Sequence, residues 1–162
     1  VLDKLYMGAG IVAGACIVFI TLMILSQIVG RWFGIIIPST EDFSGYLLAA
    51  ATFLALAHTF REGGHIRVTL LINLLPSSWQ RKLTLATLVV FTVMVGWGTY
   101  YLCHLVWESW HFEELSQGYI AIPMWIPQLP MALGAVIFLV ALLDDIVSSM
   151  MGSTPSFIEL EE

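Results

Sequence analysis

Residues 5–30 read LYMGAGIVAGACIVFITLMILSQIVG, a run of 26 without one charged side chain. As a helix it would reach about 39 Å at 1.5 Å per residue, more than a bilayer core of roughly 30 Å requires. It is too long for the apolar core of a signal peptide, and no clear small-residue cleavage site follows it. Asp3 and Lys4 precede it, and Arg31 and Trp32 close it. This stretch therefore predicts a transmembrane helix over about 5–30. Gly10 and Gly14 inside it form a GxxxG pattern, which lets a second helix approach closely.

The remaining chain has the same character. Hydrophobic types make up 59% of the 162 residues and charged types 11%, against about 25% charged in a soluble domain. In water such a chain would expose large apolar patches, so lipid is its expected solvent. Three more spans are predicted, at about 43–60, 83–107 and 126–143. Pro38, Ser39, Glu41 and Asp42 open the second span. Ser39 is a candidate cap, and the two acids suit the positive end of the helix dipole. Five alanines (Ala49, Ala50, Ala51, Ala55, Ala57) make this span thin and suited to burial among others. Pro123, Pro127 and Pro130 predict an irregular entry to the fourth span, with regular helix from about Gln128.

Between spans two and three, residues 66–75 could reach only about 15 Å as a helix. They predict a short interfacial helix. The expected architecture is an all-α integral membrane protein. It has four transmembrane helices and this interfacial helix in one domain over 1–150, with a short acidic tail at 151–162.

Basic residues set the orientation. Four of the six (Arg61, Arg67, Arg81, Lys82) fall between spans two and three, Arg31 alone lies between spans one and two, and residues 108–119 hold none. The expected topology has both termini cytoplasmic. Trp32, Trp107, Trp110 and Trp125 then mark the outer interface and Trp79 the inner one. The formal net charge is −6. With no basic stripe, nucleic-acid binding is excluded.

Few residues suggest chemistry. His58 and His104 fall near opposite membrane faces and cannot share one haem. Glu62 and His65 flank Gly63-Gly64, a turn that lacks the rigid helical face a metal site needs. His111 and Glu113 read as solvated residues of an acidic outer loop. Cys16 and Cys103 lie in apolar runs without metal-type spacing. No charged residue sits near the middle of any span, where ion and proton pathways usually carry one. The scattered hydroxyls of Thr21, Ser26, Thr52, Thr87 and Thr92 are expected to bond back to their own helices. These observations predict no catalytic residue, cofactor site or metal site, and a scaffold or accessory subunit rather than a self-sufficient transporter. Asp144 and Asp145 oppose the dipole at the end of span four. They are candidates for a cytoplasmic charge cluster with Arg61, Arg81 and Lys82; solvation of two surface acids is the alternative.

Three stretches carry a resemblance: Glu41-Asp42-Phe43-Ser44-Gly45-Tyr46; Phe60-Arg61-Glu62-Gly63-Gly64-His65-Ile66-Arg67-Val68 with Leu74-Leu75-Pro76; and Ile122-Pro123-Met124-Trp125-Ile126-Pro127-Gln128-Leu129-Pro130 with Gly134. Together with Arg31-Trp32-Phe33, they resemble the small (Q-type, DctQ-like) membrane subunit of tripartite ATP-independent periplasmic (TRAP) transporters. Thr69 stands where that family often has an aspartate.

The resemblance implies a large M-type membrane subunit that carries the substrate and sodium sites. It also implies a periplasmic solute-binding protein of P type, and sodium-coupled uptake of an organic acid across a bacterial or archaeal inner membrane. This chain would scaffold the large subunit and help dock the binding protein. Arg31, Glu41 and Asp42 are the candidate docking residues; an Arg31 that only anchors the helix end is the simpler alternative. The rival assignment is a membrane-anchor subunit of a redox enzyme complex.

Overall fold

The computed structural model describes residues 2–61 and 77–150. They form four helices: α1 (Leu2–Trp32), α2 (Thr40–Arg61), α3 (Ser77–His111) and α4 (Trp125–Met150). Each contains a stretch long and apolar enough to cross a membrane. The proposed interfacial helix at 66–75, the Gly63-Gly64 turn with Glu62 and His65, Arg67, and the tail at 151–162 lie outside the described residues.

All four helices overrun the spans expected for them. α3 departs most: it starts six residues before Leu83 and continues four residues past Trp107 to His111. Its polar end pairs along the helix, with His104 Nδ1 3.3 Å from Glu108 Oε2 one turn on, so nothing there breaks the periodicity. His111 is accordingly the last residue of α3 and not part of a loop. α4 starts at Trp125, three residues before the expected Gln128. Pro127 costs no bond in the first turn, and the carbonyl of Pro123 accepts the Ile126 N–H at 3.1 Å.

The helices pack as a row, α1 on α2, α2 on α4 and α4 on α3. Small residues permit the tight central contact. A Cβ on Gly134 of α4 would lie 2.5 Å from the Phe53 carbonyl carbon and 2.7 Å from the Leu54 nitrogen of α2. Ala50, Ala51, Ala57, Ala132, Ala135 and Ala141 are buried around this seam. On the other side of α2, Gly10 seats the His58 ring, 2.9 Å from where its Cβ would be. Gly14 meets nothing, so only half of the GxxxG pattern is used within this chain. At one end of the row all four helices converge on a cluster of Tyr6, Ala57, Phe60, Leu88, Phe138, Ala141 and Leu142. Phe138 packs edge-on against Phe60 and Phe91, with ring centroids 5.7 and 6.0 Å away.

The hydroxyls of Thr21, Ser26, Thr52 and Thr92 donate to carbonyls three or four residues earlier in their own helices. They offer no polar track along the spans. Thr99 does the same and also lies 3.5 Å from the Ala135 carbonyl, joining α3 to α4.

Candidate docking platform at the outer end

The end of the molecule opposite the apolar cluster holds the α1–α2 and α3–α4 connections. α1 stops in a Schellman arrangement. The Ile35 N–H bonds the Gly30 carbonyl at 2.8 Å, and the Gly34 N–H bonds the Arg31 carbonyl at 3.1 Å. Gly34 sits at φ +71°, a conformation that glycine adopts without steric cost. Arg31 is thereby fixed in the last turn of α1, exposed at the rim.

Seven residues later α2 begins, with Glu41 and Asp42 in its first turn. The Ser39 carbonyl accepts the first helical bond, from Phe43 N at 3.1 Å. The Ser39 hydroxyl does not cap the helix as expected. It accepts the Ile120 N–H of the distant α3–α4 connection at 3.1 Å, which makes it a tie between loops. Ser39 adopts φ +59° in making this tie.

The α3–α4 connection is knit from within. Residues Leu115 and Pro123 pair as an antiparallel bridge. The Ser116 N–H donates to Ile122 O and the Met124 N–H to Glu114 O, both at 2.8 Å. The buried Ser116 hydroxyl donates to Ile120 O and accepts from Ile122 N. Ser109, wholly buried, donates to the Glu114 carboxylate at 2.8 Å. Gly118 lies directly beneath the Asp42 carboxylate, which occupies the space a Cβ would need. Asp42 is half-buried against the neighbouring loop, while Glu41 stays exposed.

Of the candidate docking residues, Arg31, Glu41 and Asp42 are thus at one end of the fold. Arg31 makes no ion pair with either acid among the described residues. Glu108, Glu113 and Glu114 share this end, so its surface is acidic, with Arg31 as the single lysine or arginine in 31–60 and 108–124. The sequence reading missed the ties through Ser39, Ser109, Ser116 and Gly118. Their partners are up to 81 residues away, and no local pattern announces them.

The candidates for the cytoplasmic cluster occupy the opposite end at backbone level. Arg61 ends α2, Arg81 and Lys82 lie in the opening turns of α3, and Asp144 and Asp145 lie in the closing turns of α4. The Asp145 side chain is buried, 1% exposed; the side chains of the three bases are outside the description. His58 and His104 fall at different ends, one against Gly10 and one beside Glu108. Among the described residues no three metal-ligating side chains gather.

No curated protein matches the chain. Residues 20–152 match the family described as tripartite ATP-independent periplasmic transporters, DctQ component. That match takes in the last part of α1, all of α2, α3 and α4, and the α1–α2 and α3–α4 connections. The chain belongs to the DctQ family, the small permease component of TRAP transporters, and with its four apolar helices it is a multi-pass inner-membrane subunit of a transporter.

Proposed function

We propose that the chain serves a sodium-coupled TRAP system for an organic acid as a subunit that moves no solute itself. It scaffolds the large membrane subunit and presents its outer platform to the solute-binding protein. The observation that carries the docking role is the bracing of the α2 start. Asp42 lies over Gly118, and Ser39 is bonded to Ile120, so the acids of this turn belong to a rigid surface. A preorganised surface loses less conformational entropy when a partner lands on it. The scaffold role is supported by spans that carry no charged residue near their centres and by hydroxyls spent on their own helices. Both termini are cytoplasmic in this reading, and Arg61, Arg81, Lys82, Asp144 and Asp145 form a charge cluster at the inner surface.

Transport in proteoliposomes tests the role. Under a sodium gradient the chain alone should move no solute, and uptake should need the large subunit and the loaded binding protein. Uptake by this chain alone would end the scaffold reading. Two variants probe docking at matched levels of assembled complex. Gly118→Ala should displace the Asp42 carboxylate without changing charge. Arg31→Glu should remove a guanidinium suited to bidentate contact with a carboxylate, which Arg31→Lys restores only in part. Both Gly118→Ala and Arg31→Glu should lower uptake with assembly intact. Wild-type uptake by both would remove these residues from docking. For orientation, Gln117→Cys should label from outside the cell and Ser78→Cys should not, in a background lacking Cys16 and Cys103. Gln117 is exposed, whereas its neighbour Ser116 is buried and hydrogen-bonded.

A further inference from the structure

The two ends of the helix row, α1 and α3, both leave a flank bare, and the flanks differ in chemistry. Outward side chains of α1 such as Ile11, Val12, Val18, Leu22 and Leu25 are aliphatic and exposed. The hydroxyls of Thr21 and Ser26 are satisfied within the helix. Such a face requires only apolar contact, which lipid supplies.

α3 instead carries a continuous stripe of Trp97, Tyr100, Tyr101, His104, Trp107 and His111, a spacing that keeps one face of a helix. Successive rings touch. Trp97–Tyr101 and Tyr100–Tyr101 centroids are 5.5 Å apart, Tyr100–His104 6.2 Å and His104–Trp107 5.8 Å. Trp107 and His111 stack at 5.1 Å. The stripe runs about 21 Å along the axis. An interfacial aromatic belt is confined to headgroup depth, whereas this stripe continues to Trp97, within a turn of the midpoint of the uncharged stretch Leu83–Trp107. Trp97 and Tyr100 are 69% and 65% exposed. The side chains of these two and of Tyr101 make no hydrogen bond among the described residues. Hydrocarbon offers no acceptor to an indole N–H or a phenol. At its outer end the stripe meets the Glu108 carboxylate, with Glu113 and Glu114 just beyond.

We propose that the α3 face from Trp97 to His111 seats a transmembrane helix of the large TRAP subunit, one with hydrogen-bond acceptors along its middle and a basic residue at its outer end. The assignment rests on the scaffold reading and adds to it which flank is the protein contact and which faces lipid. The donors along the stripe select a protein neighbour over lipid, and the acidic outer end selects the charge that neighbour carries.

The test uses the chain co-expressed with its large subunit. A photo-crosslinking phenylalanine analogue replaces Trp97, Tyr101 or Trp107 on α3, or Val12, Val18 or Leu22 on α1. Adducts with the mass of both subunits from α3 sites, and none from α1 sites, are expected. Adducts to the large subunit from α1 sites only, adducts to a second copy of this chain, or lipid adducts alone from α3 would each overturn the assignment. Co-purification separates the two levels. If the subunits co-purify while α3 stays silent, the surface is wrong and the scaffold role stands. If they do not co-purify, both fall. A shape-preserving variant, Tyr100→Phe with Tyr101→Phe, removes two donors and keeps both rings. It should lower co-purified large subunit roughly tenfold, as loss of two intramembrane hydrogen bonds predicts. Unchanged recovery would mean that lipid covers the stripe.

Discussion

The two ends of this molecule, inner and outer in the proposed orientation, are held together by different physics. At the inner end, four helices meet through Tyr6, Ala57, Phe60, Leu88, Phe138, Ala141 and Leu142. At the outer end, two connections are tied by hydrogen bonds through Ser39, Ser109 and Ser116 and by the contact of Gly118 with Asp42. Lipid tails are as apolar as leucine, so close packing is what the inner end gains from helix association. The outer end borders water, where a backbone group has an alternative partner and a single net hydrogen bond contributes only about 0.5–1.5 kcal/mol. The inner end should therefore govern whether the helices assemble, and the outer end how the platform is shaped.

The seam between α2 and α4 offers the strongest challenge to that division. Gly134 abuts backbone atoms of Phe53 and Leu54, 2.5–2.7 Å from the place of a Cβ. Backbone inside a helix cannot swing aside as a side-chain tip does. Gly134→Leu should push the two axes apart and abolish monodisperse protein in detergent, at a cost above the roughly 1–3 kcal/mol typical of overpacking. A folded, wild-type-like Gly134→Leu would show that α2 and α4 do not meet at this level.

Next in size comes Phe138→Ala, which removes a ring in contact with both Phe60 and Phe91. The loss should be large but below the roughly 3–5 kcal/mol of a soluble core, because lipid still solvates the separated helices. The midpoint of thermal unfolding in detergent measures it. The outer counterpart is Ser116→Ala, which deprives the Ile122 N–H of its acceptor and the Ile120 carbonyl of a donor. Its cost should be about 1–2 kcal/mol, smaller than that of Phe138→Ala. Its greater effect should be on binding of the solute-binding protein, measured with the complex held in nanodiscs. Reversal of the order, Ser116→Ala unfolding the protein and Phe138→Ala sparing it, would break the comparison.

The same contrast explains what the sequence made legible. Long uncharged runs such as 5–30 declare a span whatever surrounds them, since lipid tests each residue locally. The packing row was less open to reading, because α2 and α4 meet through one glycine and several alanines, residues that any membrane helix could carry. The outer ties were not readable at all: Ser39 bonds Ile120 across 81 residues, and its position before α2 suggests a cap instead. The α3 stripe was different. Its three- and four-residue spacing stands in the sequence from Trp97 to His111. Reading Trp107 and Trp110 as belt residues hid the continuity towards Trp97. Arg31 was singled out as a docking candidate because a lone base on its expected side goes against the usual bias; the contacts of Ser39 and Asp42 with the α3–α4 connection were not readable.

The smallest predicted effect isolates the backbone from packing. Gly34 ends α1 at φ +71°, and a Cβ built there meets nothing within 4 Å. Gly34→Ala thus adds no clash with a neighbour. Its cost is the left-handed conformation itself, about 1 kcal/mol for an L-residue. Asparagine tolerates that conformation better, so Gly34→Asn should lower the unfolding midpoint less than Gly34→Ala. The substitution should leave the inner cluster untouched, since Tyr6 lies at the far end of the same helix. It should loosen the turn that holds Arg31, whose carbonyl accepts the Gly34 N–H at 3.1 Å. If the Schellman turn sets the direction of Arg31, Gly34→Ala should reduce binding-protein affinity by more than its small stability loss explains, and Gly34→Asn should recover it. Equal destabilisation by alanine and asparagine would mean that the left-handed conformation is not what limits this position, and the turn would then not be what orients Arg31.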